Sequence, residues 1–451
     1  MRSTSLSLLL CLVLSLLASL TATYAWHALG AIHAGTEEAA ADHAVSTPAG
    51  ASANATHDVD PAPRELSPTA PDFTYGIFED ANHVGGPTHF AAMVADLKKR
   101  QFDSVLFTNN FTYRDAPLLS IADDLGFRVV FSHHAELNHA LWPADAPDTI
   151  EHARQIIFPL VDHVRHHRSL MGYNVMDDAP DRLASKVALA VQAFRERDPH
   201  RPAAPTLVER HDEVALAARP DILLTYVYPA LTVSPPCDFT RREGRVTVDW
   251  LVNRLRHVAS LGEGEVPVWV VLQTHGGSRD VDPASPDDTA LREPTREEVR
   301  LQHWLAVGEG VKGVFWFTYS TQQFWTGLRD NPPLLTEVSD LARRTIPLRP
   351  VLGDLRKVPD RARALAEAEL PVPYQPYAST LIDKLGTIYV VVVNRSCDRQ
   401  HLRLSVPDTE GWLRNVETGA WHALGAVLPF DGGDGRLFEL VVVDTGEPGD
   451  A

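Results

Sequence analysis

Eight short apolar runs, each followed by a polar cluster and then by a helix-like stretch, succeed one another between residues 73 and 320. The first two read FTYGIFED at 73–80 and FDSVLFTNN at 102–110, and the amphipathic stretch THFAAMVADLKKR at 88–100 separates them. The remaining runs occupy residues 127–138, 170–180, 203–210, 221–230, 267–277 and 312–320. Strands that alternate with helices form parallel sheets through crossover connections. The pattern therefore predicts a parallel α/β fold.

Two parallel architectures fit this alternation, a closed (β/α)₈ TIM barrel and an open doubly wound sheet. Eight units favour the barrel, which is typically about 250 residues long. The open sheet usually carries a Gly-rich turn after its first strand, whereas this turn reads EDANHVGG without a GxGxxG motif. We therefore predict a barrel over residues 71–348.

Beyond a predicted helix at 331–345, the character of the sequence changes to closely spaced strands. Strand-like runs occupy residues 387–396, 401–407, 412–424 and 436–444, with a hairpin signal at Thr418-Gly419. Short strands at this spacing predict a small C-terminal β-sandwich domain over residues 349–451.

The N-terminus carries a targeting signal. Arg2 precedes an almost wholly apolar run at 6–20, and Thr23-Tyr24-Ala25 offers a cleavage site, so residues 1–25 are predicted to be a signal peptide. An uncleaved membrane anchor is the alternative. Residues 26–70, rich in Ala, His, Pro, Ser and Thr, are predicted to be a disordered linker. We expect a protein that is exported, whether periplasmic, extracellular or anchored to the outer face of the membrane.

Charge and cysteine content narrow the classes of partner. A net charge of -18 argues against nucleic acid, whose phosphates require a basic face. Of three cysteines, Cys11 lies in the leader, while Cys237 and Cys397 fall in different predicted domains. This distribution does not support a disulfide framework and leaves a single bridge open. The spacing of cysteine and histidine predicts no zinc site, and no cofactor is expected.

Functional groups of such barrels lie at the C-terminal ends of the strands. This rule selects carboxylates, amides and aromatic residues, namely Glu79, Asp80, Asn109, Asn110, His133, His134, Glu136, Asp177, Asp178, Glu209, Tyr226, Tyr228, Gln273, His275, Trp316, Tyr319 and Trp325. Sugars present C–H faces that stack on aromatic rings and hydroxyls that need polar partners. Cleavage of a glycosidic bond requires two carboxyl groups. The selected set therefore indicates carbohydrate chemistry.

Three segments resemble barrel glycoside hydrolases related to clan A, including β-galactosidase-like families. GYNVMDDAP at 172–180 is similar to their fourth strand, which ends in Asp-Glu-Pro or Asn-Glu-Pro. PTREEVRLQHWLAVGEGVKGVFWFTYS at 294–320 resembles their last helix and strand, and VYPA at 227–230 resembles their Asp-x-Tyr-Pro segment. The resemblance implies that Asp178 matches the acid/base glutamate and Asp177 its preceding Asp or Asn.

The chain departs from the motifs of these families at two strands. Asp178 is one methylene shorter than glutamate, and Ala179 replaces the proline. Gln273 stands near the place of the nucleophilic glutamate of retaining enzymes, and an amide cannot form the usual glycosyl ester. An inverting reaction would instead use Asp178 as acid and a second carboxylate as base, with Glu209 preferred over Glu79 and Glu136.

The expected function is hydrolysis of a poly- or oligosaccharide with Asp178, Asp177 and Glu209 as catalytic groups. The expected substrate-binding residues are Glu79, Asn109, His134, Glu136, Tyr226, Tyr228, Gln273, His275, Trp316, Tyr319 and Trp325. One alternative is a catalytically inactive carbohydrate-binding or envelope scaffold protein, in which Asp177 and Asp178 merely cap a helix. Another is a metal-dependent barrel hydrolase using His133 and His134, although FTYGIFED lacks the His-x-His of such enzymes.

Overall fold

The computed structural model describes residues 73–80, 84–108, 116–207, 212–230, 236–238, 247–276, 291–322 and 325–443. The predicted signal peptide and linker lie outside these residues, as do Asn109, Asn110 and Glu209. Within the described part of the chain, no helix combines the length and the apolar character needed to cross a membrane.

Nine parallel segments form a ring at the centre of the larger domain. They are β1 Thr74–Asp80, β2 Ser104–Thr108, β3 Arg128–Ser132, β4 Leu170–Asn174, β5 Ala203–Ala204, β6 Thr206–Leu207, β7 Leu223–Val227, β8 Val268–Gln273 and β9 Gly313–Phe317. The order β5-β4-β3-β2-β1-β9-β8-β7-β6 brings the two ends of the sheet together at consecutive segments of the chain. The predicted barrel is therefore confirmed.

The fifth barrel strand is divided at Pro205. Because proline has no N–H to donate to a neighbouring strand, it interrupts strand pairing. The segment before it, β5, pairs with β4, and the segment after it, β6, pairs with β7. The strand predicted at 203–210 thus corresponds to two short segments, β5 and β6. Each pairs with its neighbour over two residues and together they close the ring.

Helices surround the ring at nearly the predicted positions. They are α1 Pro87–Lys99, α2 Ala116–Leu125, α3 His134–Ala140, α4 Ile150–Val164, α5 Ala184–Arg197, α6 Asp212–Ala218, α7 Thr247–Leu261, α8 Arg296–Gly308, α9 Pro332–Thr345 and α10 Arg349–Asp354. Helix α8 begins with a capping box between Thr295 and Glu298, which satisfies N–H groups of its first turn. Most of its residues are buried, because both domains pack against it.

Alternate residues of the barrel strands face two separate cores. Phe78, Trp269 and Phe317 belong to the cluster inside the ring. Ile77 and Trp316 belong to the larger cluster between the ring and the helices. This alternation decides which side chains at the strand ends face the barrel mouth.

The C-terminal domain is an antiparallel sandwich, as predicted. Its strands are β10 Arg356–Lys357, β11 Arg363–Ala366, β12 Tyr377–Ile382, β13 Ile388–Val393, β14 Gln400–Ser405, β15 Gly411–Asn415, β16 Trp421–Ala423, β17 Val427–Phe430 and β18 Gly435–Val442. A six-stranded sheet has the order β10-β12-β13-β18-β15-β16, and a three-stranded sheet has the order β11-β14-β17.

Strand β13, in the middle of the six-stranded sheet, is buried on both faces, which explains its continuous apolar run. Val390 and Val392 face the smaller sheet, whereas Val391 and Val393 join the core of the barrel domain. Close approach to α8 requires a glycine at 435, since a Cβ there would lie 2.4 Å from Cγ of Trp304. The two domains therefore share one core at this interface.

A disulfide joins the domains covalently. Cys237 lies beyond β7 and Cys397 follows β13, with their Cα atoms 5.9 Å apart and a sequence separation of 160. The sequence had left one bridge open, and the fold brings these two cysteines together.

Candidate functional site

Asp177 and Asp178 project from a bulge at the end of β4. The N–H of Thr206 donates to Met176 at 2.7 Å, and the N–H of Ala179 donates to the carbonyl of Thr206 at 3.3 Å. The segment from Met176 to Ala179, which faces Thr206, thus contains one residue more than regular strand pairing allows. Such an extra residue is a β-bulge. Asp178 has φ of 50°, a left-handed conformation that aspartate tolerates better than most residues.

The bulge, and not a helix cap, sets the position of these carboxylates. The next helical turn begins at Asp181 and has Pro180 at its N-cap. Helix α5 follows with Leu183 at its N-cap and no side-chain cap hydrogen bond. Asp178 is exposed and Asp177 is half-buried. The pair is therefore presented outward from the end of the strand.

Two tyrosines from the end of β7 lie beside the carboxylate pair. The rings of Tyr226 and Tyr228 stack with centroids 4.9 Å apart and planes 17° apart. The hydroxyl of Tyr226 donates a hydrogen bond to Asp178, and burial together with the charges of Asp178 and Asp177 raises the tyrosine pKa. Burial, together with the nearby charge of Asp177, also raises the pKa of Tyr228. Both phenols therefore stay protonated at neutral pH, and the phenol of Tyr226 is a donor to Asp178.

The aromatic surface continues around the mouth from Tyr228. We call Tyr226, Tyr228, His275, Phe317 and Trp325 the aromatic wall. His275 contacts Tyr228 edge-on at 4.9 Å, and Phe317 lies 4.9 Å from His275 and 5.3 Å from Trp325. The wall links the ends of β7, β8 and β9.

His275 is a neutral donor in this wall. Burial lowers its pKa to about 4. Its Nδ1 lies 3.0 Å from the carbonyl oxygen of Phe317, which can only accept, so the proton resides on Nδ1. The imidazole therefore contributes a flat, uncharged ring at neutral pH.

Gln273 lies at the end of β8 and uses its amide to hold neighbouring loops. Its Oε1 accepts from the N–H of Ala230 at 2.7 Å, and its Nε2 donates to carbonyl oxygens of Ala230, His275 and Arg292 at 3.1, 2.9 and 2.9 Å. The side chain is 0% exposed. The structure thus places this predicted substrate-binding residue beneath the site, where its amide bonds are directed to the protein backbone.

Glu79 is similarly engaged with the protein. Its Oε2 accepts hydrogen bonds from the Thr318 hydroxyl and from the N–H groups of Tyr319 and Ser320 at 3.0, 3.1 and 3.0 Å. Burial raises the pKa of this carboxyl to about 7. Such a value would suit an acid catalyst, but at 0% exposure the group has no accessible surface in this conformation.

The structure does not bring Trp316 and Tyr319 to the mouth. Trp316 belongs to the core between ring and helices, where it contacts Tyr75 and His303. Tyr319 is buried in the same core, and its hydroxyl donates to Asp96 of α1 at 3.0 Å. Strand alternation turns Trp316 toward the helices, and Tyr319, which lies beyond the end of β9, is held there by its bond to Asp96. Neither ring forms the predicted sugar platform.

The region after β3 supplies no described metal site. His133 is buried against Phe131 and Phe194, and burial lowers its pKa to about 3. His134 begins α3, with its side chain outside the described part, and Glu136 lies half-buried on the same helix. Among the described residues, no group of three or more His, Cys, Asp or Glu could hold a metal ion.

Neither Phe317, a buried member of the aromatic wall, nor Asn174, a buried residue at the end of β4, was predicted from the sequence. Phe317 stands one residue after Trp316, in a run where every residue is apolar. Asn174 ends β4, where its Nδ2 donates to the carbonyl of Phe107 at 3.1 Å and its Oδ1 accepts from Thr206 at 3.4 Å. A polar residue at the end of a buried strand was the available signal for Asn174.

No protein-family model and no curated protein sequence matches the chain. Solved structures do match: a glycoside hydrolase is 10% identical with a TM-score of 0.52, covering 84% of this chain and 94% of that one. A GH27 β-L-arabinopyranosidase from Geobacillus stearothermophilus is 11% identical with a TM-score of 0.50, covering 83% and 97%. A β-galactosidase from the psychrophilic Marinomonas ef1 is 12% identical with a TM-score of 0.48, and the match spans 62% of this chain but only 60% of that one.

At such identities a structural match establishes the fold. The ring of parallel strands, its surrounding helices and the appended antiparallel sheets agree with the architecture expected from the sequence motifs. The chain therefore has a fold similar to that of barrel glycoside hydrolases.

Proposed function

We propose that the barrel mouth binds a poly- or oligosaccharide and hydrolyses a glycosidic bond, with Asp178 as proton donor and Asp177 orienting it or binding a hydroxyl. One observation carries the proposal: two adjacent carboxylates project from a bulge beside the stacked rings of Tyr226 and Tyr228. Flat rings next to carboxylates suit sugars, which offer a C–H face and hydroxyl groups at once.

The extent of the aromatic wall supports a substrate of more than one sugar unit. The wall runs from Tyr226 through the buried rings of His275 and Phe317 to Trp325, so partly exposed rings lie at both of its ends. The bond from Tyr226 fixes the direction of the Asp178 side chain. Orientation of this kind is what a proton donor to a glycosidic oxygen requires.

Glu209 is the proposed second carboxylate, although it lies outside the described residues. It follows β6, the strand segment paired with the Asp177–Asp178 bulge through Thr206. Glu79 is less suitable because its carboxyl is engaged with the loop after β9. With Gln273 at the end of β8, an inverting reaction is favoured, in which the two carboxyls lie about 6.5–9.5 Å apart.

The test measures product release and binding on a polysaccharide panel with the full chain. Asp178→Asn should lower turnover by about 100-fold or more, the effect typical of losing an acid catalyst, while binding persists. Tyr228→Ala should weaken binding. The matched control is Asp124→Asn, which replaces an exposed carboxylate on α2. Equal turnover by wild type and Asp178→Asn would remove Asp178 from the acid role.

Binding without cleavage is the second candidate function, and Gln273 favours it. The residue near the place of the nucleophile of retaining enzymes is an amide that is hydrogen-bonded to the backbone of Ala230 and Arg292. Glycan binding that depends on Tyr228, with no product after long incubation, would support this candidate and contradict hydrolysis.

We also propose that the protein acts outside the cytoplasm. The leader at 1–25 supports this localisation, and so does the bond between Cys237 and Cys397, since disulfides persist in oxidising compartments. Cell fractionation of the full chain tests it, and recovery in the cytoplasm with both thiols reduced would contradict it.

A further inference from the structure

Two tryptophans of the C-terminal domain are exposed to solvent. Trp412 on β15 is 48% exposed and Trp421 on β16 is 53% exposed. Helix α8 packs against β12, β13 and β18, and the hairpin of β15 and β16 extends the sheet past β18. The two indoles therefore lie on a part of the sheet outside the main contact with the barrel domain.

Strand register places both rings on one face. Trp421 pairs directly with Arg414, and Trp412 lies two residues before Arg414 on the same strand. Residues directly opposite each other on antiparallel strands, and residues two apart on one strand, point to the same side. Leu413, between them, faces the sandwich core. We call Trp412, Arg414, Trp421 and Glu439 the tryptophan surface.

Polar groups lie next to the two rings. Arg414 pairs across the sheet with Glu439 of β18, and its Nε donates to Oε2 of that residue at 2.8 Å. With strands about 4.8 Å apart and a rise of about 3.4 Å per residue, the two-residue offset places the tryptophan Cα atoms roughly 8 Å apart. The surface thus combines two spaced rings with a donor and an acceptor next to them.

The size of the surface argues against a protein partner. Tryptophan has roughly 150–250 Å² to bury, so two half-exposed rings offer on the order of 250 Å². A stable protein interface needs about 800 Å² from each partner. The Arg414–Glu439 ion pair borders this apolar area. A ligand that needs separate flat rings and neighbouring hydrogen bonds fits this surface better.

We propose that the tryptophan surface is a binding site for a polysaccharide chain. Successive sugar units stack their C–H faces on Trp412 and Trp421, while Arg414 and Glu439 bond to hydroxyls. The site is separate from the barrel mouth, so it does not depend on whether the mouth cleaves a bond. Its role is to hold the protein on an extended glycan.

The experiment compares retention of the full chain on insoluble polysaccharides, namely cellulose, chitin, xylan and starch granules. The double variant Trp412→Ala/Trp421→Ala should lose about tenfold or more in affinity for the polysaccharide that binds wild type, since two stacking contacts are removed. Leu385→Ala is the matched control, because this residue of the same domain is 84% exposed in the turn between β12 and β13. Thermal unfolding verifies that each variant remains folded.

The outcomes separate this site from the proposed catalytic function. Asp178→Asn should bind insoluble polysaccharide as wild type does, and the double tryptophan variant should retain turnover on short soluble oligosaccharides if the mouth is catalytic. Failure of wild type to bind any of the four polysaccharides would overturn the proposal, as would equal retention of wild type and the double variant. A wild-type dimer that the double variant loses would instead assign the surface to a second copy.

Discussion

Glu79 shows how a fold can turn an acidic residue of the strand ends into a structural group. Three donors from the loop after β9 converge on Oε2, whereas Oε1 is buried with no hydrogen-bond partner among the described residues. Burial raises the pKa of the carboxyl to about 7, compared with an ordinary value of 4.5. Because the neutral form is the one that burial favours, this residue makes stability depend on pH.

Replacing Glu79 with glutamine should change that dependence. A carboxyl with a raised pKa contributes fully to the free energy of unfolding below pH 4.5. This contribution, about 3 kcal/mol, is lost as the pH rises through 7. The amide does not ionise, so the free energy of unfolding of Glu79→Gln should rise relative to wild type between pH 5 and pH 8. Denaturant unfolding at both pH values measures this, with the exposed Glu265→Gln as control. Parallel pH profiles for wild type and Glu79→Gln would contradict the assignment.

At the scale of elements, α9 fastens the sandwich to the barrel through one side chain. Arg344 donates to Asp434 at 2.8 Å, to Glu417 at 3.0 Å and to the carbonyl of Gly435 at 3.0 Å. Its guanidinium also lies 5.0 Å from the ring centroid of Trp304 on α8. One arginine thus holds two helices of the barrel domain and two segments of the sandwich together.

Arg344→Met should lower the free energy of unfolding by about 2–3 kcal/mol, because charged hydrogen bonds are lost and Asp434 loses its principal partner. Arg343→Met is a matched control on the same helix, since Arg343 is exposed and pairs with Asp340 within one turn. The control should change stability by less than about 0.5 kcal/mol. Equal effects of the two substitutions in chemical denaturation would show that the interdomain network does not stabilise the fold.

For the whole molecule, the disulfide between Cys237 and Cys397 constrains two domains that already share a core. It closes a loop of 160 residues, so the unfolded chain loses much of its conformational freedom. Because the six-stranded sheet packs on α8, unfolding of one domain exposes apolar surface of the other. We therefore expect the domains to unfold together.

The double substitution Cys237→Ser/Cys397→Ser should lower the free energy of unfolding by about 3–5 kcal/mol. Reducing agent should destabilise wild type by a similar amount and leave the variant unchanged. Equilibrium denaturation with and without reductant measures both effects. A wild-type protein that responds to reductant no more than the variant does would indicate that the cysteines are not paired in solution.

The architecture was predictable because hydrophobic periodicity is local. Alternating strand and helix patterns predicted the barrel, closely spaced strands predicted the sandwich, and Asp177 and Asp178 were predicted at the end of the fourth strand, where the structure has them. Each of these inferences needs only neighbouring residues and the rule that barrel chemistry gathers at the carboxyl ends of strands.

The side on which a strand-end residue lies, and its partners, needed the tertiary structure. In GVFWF of β9 every residue is apolar, since strands covered by side chains inside and helices outside are buried on both faces. The sequence therefore could not show that Phe317 faces the mouth and Trp316 the helices, because a shift of one residue exchanges the two faces. Likewise Gln273 is engaged by loops distant in sequence, and no local pattern records contacts that form only when the ring closes.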